Sequence, residues 1–232
     1  MKRFLGLGVF LCLALFSFAQ TAAPASGPTR TLYLVRHGQY DSLPNAGPDG
    51  PGLTPLGIAQ AKLVATRLHG LPVTFTSLTA STMTRARETA LFIGQSLPQL
   101  PLQTAPLLRE ATPRSFTLAN EKPEEAAAAE AQFNEAFARY FVPAKDRDEH
   151  DILVCHGNII RYFVTKALGV DTQSWLGMAL THCSLTVIQV AADGTFKVHA
   201  VGDSGHIPAN LSSGLLPTSP VPRLTAPSEA SQ

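Results

Sequence analysis

Two apolar, strand-like runs of this chain each end in His-Gly: Leu32-Tyr33-Leu34-Val35-Arg36-His37-Gly38 and Ile152-Leu153-Val154-Cys155-His156-Gly157. A buried parallel strand that passes its last residue into a glycine turn and then a helix delivers that residue to the ligand edge of an α/β sheet. Two imidazoles delivered this way can meet across one pocket. A neutral imidazole carries a lone pair at neutral pH and can attack phosphorus, forming a phosphoramidate that water later opens. His37 is the candidate nucleophile. Arg36 beside it, and Arg85 in Ser81-Thr82-Met83-Thr84-Arg85-Ala86-Arg87-Glu88-Thr89-Ala90, offer forked N–H donors to non-bridging phosphoryl oxygens. His156, in its protonated form, adds a donor as charge builds in the transition state. Glu110, leaving the Leu107-Leu108-Arg109 run, is the candidate to protonate the departing oxygen and then to activate water.

Each of these residues alone has an ordinary explanation. A His-Gly at a strand end is usually a turn, Arg85 and Arg87 fit the solvated face of a helix, and Glu110 merely follows a hydrophobic run. Their occurrence together, in this order, is what carries information.

The elements that must position them follow from hydrophobic periodicity. A strand over Thr31 to Arg36 leads into a loop rich in Pro, Gly and Asp, and then into a helix with Thr54 as N-cap and Pro55 in its first turn, running to about Leu71. A strand near Val73 to Thr79 precedes the helix that carries Arg85, and a short strand near Leu102 to Pro106 precedes Glu110. Pro123 to Val142 reads as a helix whose apolar stripe is Phe133, Phe137 and Phe141, core rather than a cofactor box. A strand over Ile152 to Cys155, a helix over Ile159 to Leu168, and strands near Leu185 to Val190 and Thr195 to Val201 complete one domain. Repeated β-then-α units predict an α/β fold, a mostly parallel sheet covered on both faces, with an antiparallel edge contributed late in the chain.

Composition bounds the function classes. With 232 residues, 45% apolar and 15% charged, the chain suffices for one well-buried domain. A net charge of +1 leaves no basic footprint for nucleic acid and no polybasic patch for a membrane surface, so anion binding must be local. No carboxylate cluster or His-x-His spacing offers a divalent metal site, so neither metal nor other cofactor is expected.

At the N-terminus, Lys2 and Arg3 precede an apolar run from Phe4 to Phe18, and Ser17-Phe18-Ala19 places small residues where a signal peptidase reads. The pattern predicts a signal peptide over residues 1–19 and export to a periplasm or the extracellular space. The run is shorter than the roughly 20 residues that span a bilayer, so no stable membrane insertion is expected after cleavage. A linker over 20–30, the folded domain over 31–210 and a Ser/Pro-rich disordered tail over 211–232 complete the expected organisation. Cys155 and Cys183 are expected as two separate buried thiols on strands.

The set Arg36-His37-Gly38, Leu53-Thr54-Pro55-Leu56-Gly57, Ser81 to Ala90, Leu107 to Glu110 and His156-Gly157 resembles the histidine phosphatase, or phosphoglycerate mutase-like, superfamily, in the branch whose second histidine lies in His-Gly. The resemblance covers about Leu32 to Pro208. It implies a phosphoglycerate mutase-like fold, a doubly wound three-layer α/β sandwich, with His37 as phosphorylated nucleophile, Glu110 as acid/base, and Arg36, Arg85, His156 and Gly157 at the substrate phosphate. Within the superfamily, Arg36-His37-Gly38-Gln39-Tyr40, Cys155-His156-Gly157-Asn158-Ile159-Ile160-Arg161-Tyr162 and Gly202-Asp203-Ser204-Gly205 look most like its mitochondrial serine/threonine protein phosphatases. Tyr40 departs from the superfamily, which mostly has Ser or Thr there. The Trp/Asn-rich segment that follows the first histidine of true mutases is missing, which favours a phosphatase. The implied activity is metal-independent phosphomonoester hydrolysis, on a phosphoprotein or on a small phosphate ester. A mutase-type phosphotransferase and a non-catalytic phosphate-binding module are the alternatives, and homodimer formation stays open.

Overall fold

The computed structural model describes residues 27–41 and 47–214. β1 (Arg30–Arg36), β2 (Ser77–Ser81), β3 (Leu102–Ala105), β4 (Glu149–Cys155), β5 (Leu185–Val190) and β6 (Phe196–Asp203) form one sheet in the order β3-β2-β4-β1-β5-β6. The pairs β1/β4, β4/β2 and β2/β3 are parallel, whereas β5 is antiparallel to both β1 and β6. The sheet is thus mostly but not wholly parallel, and the antiparallel part comes from the last two strands.

Alternation along the central strands assigns the two cores. Tyr33, Val35, Ile152 and Val154 point into one cluster, with Ala61, Val64 and Leu68 of α1 (Pro55–His69) and Ala86, Ala90 and Ile93 of α2 (Thr84–Ser96). Leu32, Leu34, Leu153 and Cys155 point the other way, against Phe133 and Phe137 of α3 (Pro123–Tyr140) and Ile159, Ile160 and Phe163 of α4 (Gly157–Ala167). Apolar residues at consecutive positions of β1 and β4 are what a strand covered on both faces requires. The doubly wound sandwich follows. Phe137 and Phe141 stack with ring centroids 4.1 Å apart inside the second core.

Several boundaries differ from the sequence reading. β2 begins at Ser77 rather than near Val73 and runs to Ser81. Val73 to Thr76 approach the sheet without joining it, and Phe75 is held there by edge-to-face packing on Tyr33 at 5.0 Å. That shift matters, because it makes Ser81 the last residue of β2 and puts its hydroxyl at the ligand edge. At the start, Thr29 is already bonded: its carbonyl accepts Glu149 N at 2.9 Å. At the end, ordered contacts continue past residue 210 through Leu211, Ser213 and Gly214. The expected signal peptide and most of the expected tail lie outside the described residues.

The loop after β1 is locked to the start of α1. Thr54 caps the helix by accepting Gly57 N at 3.1 Å, and Pro55 opens it without wasting a donor. Gly57 is required by close approach: a Cβ there would lie 2.0 Å from the carbonyl oxygen of Gln39. The segment Leu53-Thr54-Pro55-Leu56-Gly57 is therefore a docking seat for the turn that follows His37.

Candidate active site

The C-terminal ends of β1, β2 and β4 meet at one edge of the sheet, and every residue singled out in the sequence is gathered there. His37 leaves β1 with its backbone N–H bonded to the carbonyl of Cys155 at 3.0 Å, while Cys183 N donates to the carbonyl of Arg36 at 3.0 Å. Gly38 N donates to Thr89 Oγ1 at 3.0 Å, so α2 holds the turn from the other side. His37 is 2% exposed, which leaves its ring no freedom to swing into solvent.

The tautomer of His37 is dictated by its neighbours. Nδ1 lies 2.8 Å from the carbonyl oxygen of Gly38, which can only accept, so the proton sits on Nδ1. Nε2 then accepts from Arg85 Nε at 3.1 Å. Burial, then the charges of His156, Arg85 and Arg36, hold this imidazole well below the usual histidine range. The result is a neutral ring with its lone pair on Nε2.

His156 closes β4, its ring centroid 5.0 Å from that of His37, with Nε2 2.8 Å from Ser81 Oγ. Its Nδ1 is buried without a partner among the described residues. Burial, then Arg85 and Arg36, push His156 well below its ordinary pKa. The sequence reading made it an imidazolium. It is held neutral instead, first by burial and then by the neighbouring guanidiniums of Arg85 and Arg36.

Glu110 follows a short 3-10 turn over Pro106–Leu108 and reaches the same edge. One carboxylate oxygen, Oε2, accepts Asn158 N at 3.3 Å. The other, Oε1, is buried with no partner among the described residues. Burial raises this carboxyl above the usual glutamate value, against the opposing pull of the Asn158 N–H and of Arg36 and Arg85. Arg36 Nε is a third buried orphan among the described residues. It faces Gly157: a methyl group added there would sit 3.6 Å from Nε and 3.7 Å from Arg161 Nη1.

Further residues stand at this edge, of which His182 was not singled out in the sequence. His182 stands 5.4 Å from His37, ring to ring, and its Nε2 is 3.2 Å from Arg36 Nη2. Tyr40 roofs the pocket, its ring 4.5 Å from the Arg85 guanidinium carbon and 5.2 Å from the His37 ring, so the departure from Ser or Thr supplies a cation–π wall. Arg109 pins the preceding loop by donating to Asp49 Oδ1 at 2.7 Å, Thr82 Oγ1 at 2.9 Å and the Pro48 carbonyl at 2.7 Å. Beyond Arg161 lies a cavity of about 460 Å³ walled by Phe116, Leu176, Gln173 and the 115–117 loop. Trp175 ties its two sides together by donating from Nε1 to the Arg114 carbonyl at 2.9 Å.

Cys155 and Cys183 are separate buried thiols, Cys155 at the end of β4 but Cys183 in the turn before β5 with φ +54° rather than on a strand, and burial pushes both above their ordinary pKa. Among the described residues no three His, Cys, Asp or Glu side chains converge as a metal ion would need, and no helix is long and apolar enough to cross a membrane.

Comparison with known proteins agrees with this geometry. The sequence matches the Histidine phosphatase superfamily (branch 1) over residues 32–143 and 118–204. The chain belongs to this superfamily. Among curated proteins it is similar to Serine/threonine-protein phosphatase Pgam5, mitochondrial, of Caenorhabditis elegans, 39% identical over 191 residues that cover 78% of this chain and 66% of that protein. The Homo sapiens protein of the same name is 36% identical over 187 residues, covering 78% of this chain and 64% of the relative. This histidine phosphatase superfamily member thus spans about two thirds of the length of the curated relatives it matches. Among solved structures, phosphoglycerate mutase from Plasmodium falciparum superposes with a TM-score of 0.56 at 27% identity, over 76% of this chain and 92% of that one.

These relatives correct one expectation. They are mitochondrial proteins by name, which overturns the reading of a secreted or periplasmic protein with a signal peptide. The physical reason is that a short apolar run behind two basic residues records affinity for a membrane machinery but not which membrane. The run itself, and the cleavage point at Ala19, lie outside the described residues.

Proposed function

We propose that this protein is a phosphomonoester hydrolase that works through a phosphohistidine at His37. The observation that carries the reading is the convergence of three buried, unpartnered polar atoms, Arg36 Nε, His156 Nδ1 and Glu110 Oε1, beside an imidazole whose Nε2 lone pair is free of a proton. Buried polar atoms are rarely left unpaired, because each costs about 1–3 kcal/mol. A phosphoryl group satisfies all three at once.

In the first half-reaction the phosphoryl group takes over the Arg85 Nε–H that rests on His37 Nε2, and the freed Nε2 lone pair attacks phosphorus as the P–O ester bond breaks. The departing oxygen takes the proton of the Glu110 carboxyl, which burial keeps available. Arg36, Arg85 and His156 Nδ1–H donate to the non-bridging oxygens, and in that tautomer His156 Nε2 accepts from the Ser81 hydroxyl. In the second half-reaction water attacks phosphorus, Glu110 takes the water proton, and the P–N bond breaks with its electron pair returning to Nε2. Orthophosphate leaves and the site is restored. Gly157 lines the phosphate slot beside Arg36, where an added Cβ would make only ordinary contact at 3.6 Å with Nε. No step draws on a metal.

The leaving group departs on the Glu110 side, and the cavity beyond Arg161 supports a bulky one. Its walls combine the Phe116 and Leu176 side chains with one guanidinium, which suits the flank of a phosphoserine or phosphothreonine in a protein better than a small polyhydroxylated sugar. This reading accords with the names of the curated relatives. Phosphate release from an aryl phosphate and from a phosphoserine peptide tests it. Wild type is expected to turn over both and His37→Ala neither, a loss on the order of 10⁴ or more. Retained turnover in His37→Ala would overturn the assignment of the nucleophile, and turnover of small sugar phosphates in place of the peptide would overturn the substrate class.

A further inference from the structure

Arg36 spends most of its guanidinium on the protein itself. Nη1 donates to the backbone carbonyl of Leu180 and, at 3.1 Å, to that of Gly214. Nη2 meets Nε2 of His182 at 3.2 Å. Nε, buried and facing Gly157, has no partner among the described residues, and beside it one N–H of Nη2 is left over. A guanidinium presents its donors in a rigid plane, so fixing both Nη groups fixes the direction of Nε.

The fixing groups form a connected chain. An arginine can only donate, so His182 Nε2 accepts, and its ring proton sits on Nδ1, 2.9 Å from Ser213 Oγ. The same Ser213 hydroxyl accepts Gln60 Nε2 at 2.8 Å, and Gln60 Oε1 in turn accepts Gln39 N at 2.9 Å, two residues beyond His37. Ser213 is held a second time, its carbonyl accepting His182 N at 2.9 Å. Gly214 has φ +88°, and a Cβ there would lie 2.7 Å from His182 Nδ1 and 2.9 Å from Arg36 Nη1. Neither the backbone conformation nor the space admits a side chain. Burial, with Arg36 and Arg85 nearby, lowers His182 to about 3, so it stays an acceptor at any working pH.

We infer that His182, Ser213 and Gly214 act as positioning residues that aim Nε of Arg36 at the phosphoryl group, making the segment after Leu211 a working part of the site. The inference rests on the reading of Arg36 as a phosphate ligand. It assigns to the chain's last described residues a role that composition, which marks them as tail, hides.

A double-mutant cycle on the full-length protein tests it, read by kcat/KM on an aryl phosphate and by direct binding of inorganic phosphate, which needs no turnover. His182→Leu and Gly214→Ala are expected to lower kcat/KM and phosphate affinity by about tenfold each. His182→Gln, whose Oε1 can reach Arg36 Nη2, is expected to recover most of the loss. In an Arg36→Lys background, His182→Leu is expected to change either quantity less than about twofold, because an ammonium has no Nε direction to set. Truncation after Ser212 is the second variant should His182→Leu not fold, and the same coupling to Arg36→Lys is expected of it. Effects of His182→Leu that multiply undiminished in the Arg36→Lys background, or failure of His182→Gln to recover, would overturn the inference. If Arg36→Lys itself changed neither phosphate binding nor turnover, the phosphate-ligand reading would fall instead, a different outcome.

Discussion

His37, His156 and His182 lie within a few ångströms of two buried arginines and are neutral in the fold, and this arrangement makes the protein acid-labile. Each has a native pKa below its unfolded value of about 6.5. Below that pH the unfolded chain binds protons that the native state refuses, so stability is complete above pH 6.5 and falls as the pH drops. At pH 5, His182, lowered to about 3, stays neutral at a cost of about 2 kcal/mol, and His37 and His156 act in the same direction. Glu110 works the other way, since its raised carboxyl favours the fold as it protonates, so the net loss is smaller. The roughly 2 kcal/mol from His182 alone is already a sizeable part of the roughly 5–15 kcal/mol that holds a typical domain together. The cleanest single perturbation is His182→Gln, which removes one such group and keeps an acceptor for Arg36. Urea unfolding followed by the fluorescence of Trp175, the chain's single tryptophan and 1% exposed, gives stability at pH 7 and at pH 5. Wild type is expected to lose about 2 kcal/mol more than His182→Gln between the two. Equal losses in the two proteins would refute the claim that His182 is held neutral by the fold.

Glu110→Gln is expected to slow release of an aryl leaving group modestly and of phosphoserine by on the order of 10² or more, because an alkoxide needs the proton and a phenolate does not; product-burst kinetics on both substrates checks this, an equal slowing contradicting the acid role. The same variant is expected to lose the alkaline limb of the pH profile of phosphoenzyme formation on the aryl ester, since that limb reports deprotonation of the raised Glu110 carboxyl. Chelation is expected to leave turnover unchanged, measured by phosphate release with and without a strong chelator, and a requirement for added magnesium or zinc would contradict the proposed mechanism.

Much of the site was legible because punctuation in the chain coincides with chemistry. Arg36-His37-Gly38 and His156-Gly157 end buried strands, and a glycine turn after such a strand has one place to go, the ligand edge. Glu110 was legible because it leaves the short apolar run Leu107-Leu108, and Arg85 because it stands in the segment Ser81 to Ala90 that opens a helix after a strand. His182 was not. It sits in Leu180-Thr181-His182-Cys183 with no periodicity to mark it, and its partner Arg36 is 146 residues away. Gln60 was hidden for the opposite reason: on an amphipathic helix it reads as a face residue, yet it is wholly buried and bonds the turn after His37. The register of β2 was missed because Val73 and Phe75 have strand-like chemistry, whereas the paired segment Ser77–Ser81 is half hydroxyl residues. Local composition, finally, made Leu211 the start of a tail, although hydrogen bonds from Gln60, His182 and Arg36 hold the chain to Gly214. Long-range polar pairing leaves no local trace.

The phosphohistidine itself is the central claim, and rapid acid-free quenching of the enzyme turning over a phosphorus-labelled ester, followed by peptide mapping, tests it most directly. The expected result is one covalent label on His37, stable in base and lost in acid, that accumulates further in Glu110→Gln and is absent from His37→Ala. Label on a serine, or steady turnover with no labelled protein at any time point in either enzyme, would contradict the account.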